Sequence, residues 1–238
     1  METPNLGSSP LVRSKDESVK SVDRRNFLRS AGLTTVAGAV FLAGCDNDDD
    51  MNPSPTSVDL GSGDTGILNY AYALEQLEAA FYTQVVATPY SGITDAEKTL
   101  LTDIRDHEII HRDFLKAALG TNAIGNLEVN FTSIDFTKRD SVLGAAKLFE
   151  DTGVAAYNGA GRLLTNGTNL LVAGKIVSVE ARHAAAIRDL LSPNSASFAG
   201  DDIVNSNGLD HATAPADILA AVKPYVKTTI TASKLPTA

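Results

Sequence analysis

The stretch Asp106-His107-Glu108-Ile109-Ile110-His111 sets a carboxylate and an imidazole three residues apart inside an apolar pattern of helical period. Residues three apart share one face of a helix, with Cβ atoms about 5–6 Å apart, so Glu108 and His111 can converge on one cation. A second copy of the spacing stands at Glu180-Ala181-Arg182-His183, and one further glutamate precedes each copy, Glu75 the first and Glu150 the second. With nine glutamates in 238 residues, two such pairs among four histidines arise by chance about 1 % of the time. Chance is a poor account of the repeat.

Around these pairs the chain reads as four helices. From Asp64, expected as an N-cap, small and apolar residues recur at Ile67, Ala71, Leu74, Leu77, Phe81 and Val85, which predicts a helix over about 65–87. After a turn at Pro89-Tyr90-Ser91-Gly92, Thr94-Asp95-Ala96-Glu97 has the form of a capping box. The second helix then carries an inward stripe of Leu101, Ile104, Glu108, His111, Leu115 and Ala118, stopped at Gly120. A third is expected over about 140–164 with Leu143, Ala146, Phe149, Gly153, Ala156, Ala160 and Leu163 inward. Beyond the turn Thr165-Asn166-Gly167, a fourth over about 168–191 turns Leu170, Ala173, Val177, Glu180, His183, Ile187 and Leu190 inward and ends before Pro193. Both Glu-x-x-His pairs therefore lie mid-stripe, where an unpartnered buried charge costs several kcal/mol. A metal ion, or a set of salt-bridged carboxylates, must neutralise them.

Residues 121–139 show no helical period and several turn formers, with a short alternating piece at Leu127 to Phe131. They form a crossover long enough to travel the length of a helix, so the second hairpin can begin at the far end of the first. The hairpins also repeat weakly: Glu75 is followed seven residues later by Tyr82, and Glu150 seven later by Tyr157, each ahead of a Glu-x-x-His. After Pro193 the chain is polar to about Ala212, and Pro215 to Lys223 reads as one short helix closed by Pro224. His211 has no carboxylate three or four residues before it and is expected to face solvent.

The first 44 residues read as an address. Polar Ser18 to Asp23 precedes Arg24-Arg25-Asn26-Phe27-Leu28-Arg29 and then an apolar run from Ala31 to Ala43, which resembles a twin-arginine export signal. That run is shorter than the ~20 residues a membrane span needs. It ends in Leu42-Ala43-Gly44-Cys45, which resembles a bacterial lipobox with Cys45 as the lipidated residue; the competing reading is a free cysteine after a signal peptide. Residues 45–63, rich in Asp, Asn, Pro, Ser and Gly, are expected as a flexible tether.

One cysteine excludes an internal disulfide framework, so packing must hold the fold. The formal charge is -9 for the whole chain; residues 1–44 carry six Lys/Arg and four Asp/Glu, so without them it becomes -9 - 2 = -11. Such a surface repels nucleic acid and anionic lipid, leaving metal cations as partners and a lipid anchor as the only membrane contact.

Residues 64–192 resemble the ferritin-like superfamily of dinuclear metal carboxylate proteins, whose pattern is a Glu from each of two helices plus Glu-x-x-His from each of the other two. Within it, an exported chain containing Leu74-Glu75-Gln76-Leu77-Glu78-Ala79-Ala80-Phe81-Tyr82 is similar to bacterial ferritin-like proteins related to plant desiccation-related proteins. The resemblance implies an all-α four-helix bundle of two hairpins joined by a long crossover, with residues 193–238 as a short helical extension. It implies Glu75 and His111 as terminal ligands of one metal, Glu150 and His183 of the other, and Glu108 and Glu180 bridging. Four carboxylates and two divalent cations sum to zero. Oxygen-rich ligation without thiolate suits two iron ions, or two manganese ions. The implied chemistry is reaction with oxygen or peroxide, or oxidation of ferrous iron, at the periplasmic or outer-envelope face. The competing readings are an envelope-anchored stress or scaffold protein with a structural metal, and a manganese-catalase-like enzyme. Tyr82 and Tyr157 are candidates to hydrogen-bond ligands or carry an electron, against the ordinary reading of buried tyrosines. Glu78 and His107, one step off the ligand positions, are expected behind the ligands or at the surface.

Overall fold

The structure, a computed structural model, describes residues 55–237. The expected export signal with Arg24 and Arg25, the expected lipidation at Cys45 and the start of the expected tether lie outside the described residues. The described chain is all-α in character: α1 Gly63–Ala87, α2 Asp95–Leu119, α3 Arg139–Gly161, α4 Gly167–Leu191 and a short α5 Pro215–Val222, with strands β1 Ser57–Asp59 and β2 Thr229–Thr231. Among the described residues no helix is long and apolar enough to cross a membrane.

The helices start and stop where local chemistry requires. Thr94 and Glu97 form the expected capping box, the Thr94 side chain accepting from Glu97 N and the Glu97 carboxylate from Thr94 N. Asn166 caps α4 through Oδ1, which accepts from Thr168 N and Asn169 N. Asp64 is not the N-cap of α1; Ser62 holds that position, and Asp64 lies in the first turn. Its carboxylate instead accepts from Thr165 N and Oγ1, Asn166 N and Asn169 Nδ2, pinning the α3–α4 turn to the start of α1. Those hydrogen bonds pull its pKa down to about 2.

The chain direction follows from the pairing. Asn69 near the start of α1 donates to Asn122 O just beyond α2, and its Oδ1 accepts from Ile124 N. Two turns further on, Gln76 accepts from Leu127 N. Phe81 then meets Phe131 and Phe136, with ring centroids 5.8 and 5.9 Å away. The crossover therefore climbs along α1, and α3 starts at the opposite end from where α2 stops. This covering explains why α1 is buried nearly all round, Asn69, Tyr72 and Gln76 included, rather than on one stripe.

Three departures from the expected packing have simple causes. Leu119 is buried in place of Ala118, because the final inward position of α2 falls four residues after Leu115. Leu170 is 47 % exposed and Ile176 is buried, so the inward stripe of α4 begins at Ile176, four residues before Glu180. Within the expected tether, Ser57–Asp59 is a strand paired in parallel with Thr229–Thr231 and Leu60 is fully buried; its mate lies more than 160 residues away, out of reach of any local reading.

Residues 193–237 clamp the second hairpin and the crossover. Thr213 N donates to Ala155 O, Tyr225 packs edge-on against Phe149 at 4.9 Å, and Lys227 N donates to Glu128 O. His211 is exposed, as expected. Arg188 on α4 is 1 % exposed and forks onto Asp151 of α3 (Nε to Oδ1 2.8 Å, Nη2 to Oδ2 2.7 Å), onto Asp202 and onto Ser197 O. Arg188→Ala leaves Asp151 without its partner and opens the packing beneath, which costs about 3 kcal/mol for a buried pair. A thermal melt by circular dichroism is expected to show a fall of roughly 6–12 °C for a domain of this size.

Candidate metal centre

The six residues singled out by spacing come together in the middle of the bundle. Glu75 and Glu150 project from α1 and α3, Glu108 and His111 from α2, and Glu180 and His183 from α4. Donor atoms of Glu75, Glu108, His111 and Glu180 lie within 4.8 Å of one another, and so do those of Glu108, Glu150, Glu180 and His183. Each group can hold a metal ion, and Glu108 and Glu180 belong to both. All four of these glutamates are at most 2 % exposed. His183 is buried, and His111, with a side chain 12 % exposed, is the most open of the six.

The arrangement is reciprocal across the two hairpins. His111 Nδ1 is 2.9 Å from Glu180 Oε1 and 3.5 Å from Glu75 Oε2; His183 Nδ1 is 2.8 Å from Glu108 Oε1 and 3.4 Å from Glu150 Oε2. Tyr82 of α1 donates to Glu150 Oε1 of α3 at 2.6 Å, and Tyr157 of α3 donates to Glu75 Oε1 of α1. Because 82 pairs with 150 and 75 with 157, α1 and α3 run antiparallel. Burial, followed by the facing carboxylates, raises both phenol pKa values well above the usual range, so both remain donors.

The residues fit a metal ion by the test of their own polar atoms. Glu75 Oε2, both oxygens of Glu108 and Glu180, Glu150 Oε2 and the Nδ1 atoms of His111 and His183 are buried without a hydrogen-bond partner. The carboxylates approach the imidazole nitrogens closely but without hydrogen-bond alignment, so ion pairing leaves these atoms unsatisfied. In natural cores such atoms are nearly always paired, and oxygen-rich ligands converging on two points are what a pair of hard or borderline cations takes.

Two further side chains lie beside the six. His107, one residue before Glu108, places Nδ1 2.9 Å from Nε2 of His183, their rings stacked at 5.1 Å. With His183 Nδ1 facing the carboxylates, this contact on the opposite ring nitrogen orients the ring. Glu78, one turn after Glu75, is buried with Oε2 unpartnered; it falls three or four residues from Leu74, Glu75, Phe81 and Tyr82, a stripe position that periodicity contains although ligand spacing does not. An apolar cavity of about 190 Å³ lies beside the centre, lined by Tyr70, Leu74, Phe114, Ala156, Tyr157 and Val172 among others. No sequence signal pointed to it, because it arises between helices rather than along one.

Residues 63–193 match the ferritin-like domain family, and the chain belongs to that family. No curated protein matches the chain. The family and the buried carboxylate and imidazole cluster together define a ferritin-like four-helix bundle with a site able to bind metal.

Without metal, the centre stores like charge. Burial first, then Glu75, raises Glu180 to about 8, and burial and Glu180 push Glu108 well above the usual carboxylate range. Burial opposes the charged form of His111, but Glu108, Glu180 and Glu75 outweigh it and hold the imidazolium to about 12. Each of these folded-state values lies above its unfolded value, so the native state binds more protons and loses stability as pH rises. Metal-stripped protein is expected to melt at a lower temperature at about pH 8 than at about pH 5, the decline beginning above the ordinary glutamate pKa. Bound divalent metal, which requires deprotonated ligands, is expected to reverse the trend. Paired melts in chelator and in manganese across this range check both.

Proposed function

We propose that the protein is an exported ferritin-like protein that holds a dinuclear non-haem iron or manganese centre and reacts with oxygen or peroxide, oxidising ferrous iron, in the cell envelope. The observation that carries this reading is the sharing of Glu108 and Glu180 between two four-residue groups. Shared carboxylates bring two cations close together, as a dinuclear centre needs, whereas two independent structural sites have no use for them.

On this reading Glu75, Glu108, His111 and Glu180 would hold one metal ion and Glu108, Glu150, Glu180 and His183 the other. Bound there, the ions would supply one-electron redox chemistry toward oxygen or peroxide. Tyr82 and Tyr157 occupy one oxygen of Glu150 and of Glu75, so each terminal carboxylate is left with its other oxygen directed at the imidazole partner. His107 contacts the outer nitrogen of His183 and holds its ring in place. His111, the most open of the six, marks the side from which an ion enters. The apolar cavity gives a small uncharged oxidant a place as far inward as Tyr157. Export and anchoring rest on Arg24, Arg25 and Cys45 in the sequence.

Elemental analysis of reconstituted protein is expected to find about two metal ions per chain, and Glu108→Ala combined with Glu180→Ala to lose both. Less than one ion per chain in the unaltered protein overturns the metal reading. Loaded protein that leaves ferrous iron and peroxide unchanged overturns the redox reading and favours the scaffold role; oxygen evolved from peroxide assigns catalase-like chemistry. For the envelope, Cys45→Ser is expected to move the protein from the membrane fraction to the soluble exported fraction, and Arg24→Lys with Arg25→Lys to hold it in the cytoplasm. Fractionation and immunoblotting read both.

A further inference from the structure

The two hairpins repeat each other at Glu75 and Glu150, Tyr82 and Tyr157, Glu108 and Glu180, and His111 and His183, but one buried carboxylate has no counterpart. Three residues after Glu75 stands Glu78; three residues after Glu150 stands Gly153. The difference is complementary in space. A Cβ on Gly153 would sit 3.1 Å from Glu78 Oε1 and 3.4 Å from Glu180 Oε2, so the missing side chain on α3 is the room into which the α1 carboxylate extends. Glu78 is 4 % exposed and its Oε2 has no hydrogen-bond partner. Besides burial, the charges acting on it are those of Glu180, Glu150 and Glu75, all of its own sign, and they raise its pKa well above the usual range.

A fifth carboxylate buried among four others with no cationic partner costs the metal-free fold either a desolvated charge or a captured proton. Cations at the centre would offset that cost. Glu75, Glu108, Glu150 and Glu180 balance two divalent cations; with Glu78 the centre carries five negative charges, which one divalent and one trivalent ion balance. Resting on the dinuclear reading above, we propose that Glu78 is a further member of the metal centre, the carboxylate whose charge matches the site to a trivalent ion. Gly153 is the position that admits it.

The test uses full-length protein stripped of metal, titrated calorimetrically with Mn²⁺ and, under citrate competition, with Ga³⁺, a trivalent ion without redox chemistry. Glu78→Gln, nearly isosteric, is expected to keep Mn²⁺ affinity within about threefold while weakening Ga³⁺ by at least about tenfold. Glu78→Asp, which keeps the charge, is expected to retain Ga³⁺ affinity within about threefold. A thermal melt of metal-stripped Glu78→Gln checks folding and is expected to be at or above that of the unaltered protein, because an unpartnered carboxyl among like charges has gone. Equal weakening of both ions, an unchanged Ga³⁺ affinity in Glu78→Gln, or a loss in Glu78→Asp as large as in Glu78→Gln overturns the proposal and leaves the dinuclear reading standing. Unaltered protein that takes up neither ion overturns that reading, and this one with it.

Discussion

Mutual repulsion among buried carboxylates is the constraint on which the rest of this structure depends. Glu75, Glu78, Glu108, Glu150 and Glu180 all project into one core, each at most 4 % exposed. Left to itself, such a cluster would pull protons from water or drive the helices apart. The bundle answers with apolar packing above and below and with two phenol donors. The imidazoles of His111 and His183 complete the answer from α2 and α4, the least covered helices.

Holding that core shut falls to the ends of the bundle. At one end Asp64 gathers the α3–α4 turn through four donors. At the other, Arg139 joins the Glu97 carboxylate of the capping box to Leu190 O at the close of α4, and Arg188 binds α4 to α3 and to the loop beyond. The segments outside the helices add a third restraint. Gly159 has no side chain because Thr213 O passes where a Cβ would be, 1.8 Å away, so the C-terminal strap lies directly on the α3 backbone. The centre is thus placed away from both ends, where fraying does not reach it.

Much of this was legible in the sequence because the signals are local and periodic. Glu108-x-x-His111 and Glu180-x-x-His183 each lie on one helical face, and Thr94 with Glu97 encodes a helix start in four residues. What escaped a linear reading depends on distant partners. Asp64 has the side chain of an N-cap, yet its donors sit a hundred residues on. Ser57–Asp59 lies in a stretch with the composition of a linker and becomes a strand only through Thr229–Thr231. Leu170 carries the right spacing for the core but is half exposed, since the buried stripe of α4 starts only at Ile176. Glu78 and His107 were visible as neighbours of the motif; which ligand each would touch was set by how α1 meets α3 and α2 meets α4, a matter of packing rather than of spacing.

The crossed pairs Tyr82 with Glu150 and Tyr157 with Glu75 have one further consequence. Neither hairpin contains a whole half of the centre, because the tyrosine that orients each terminal carboxylate, and the shared glutamate that completes each imidazole's surroundings, come from the other hairpin. Partial undocking would therefore disturb both four-residue groups at once. Any cation held there would fasten one half of the polypeptide to the other, and its retention would report on whether those halves are closed.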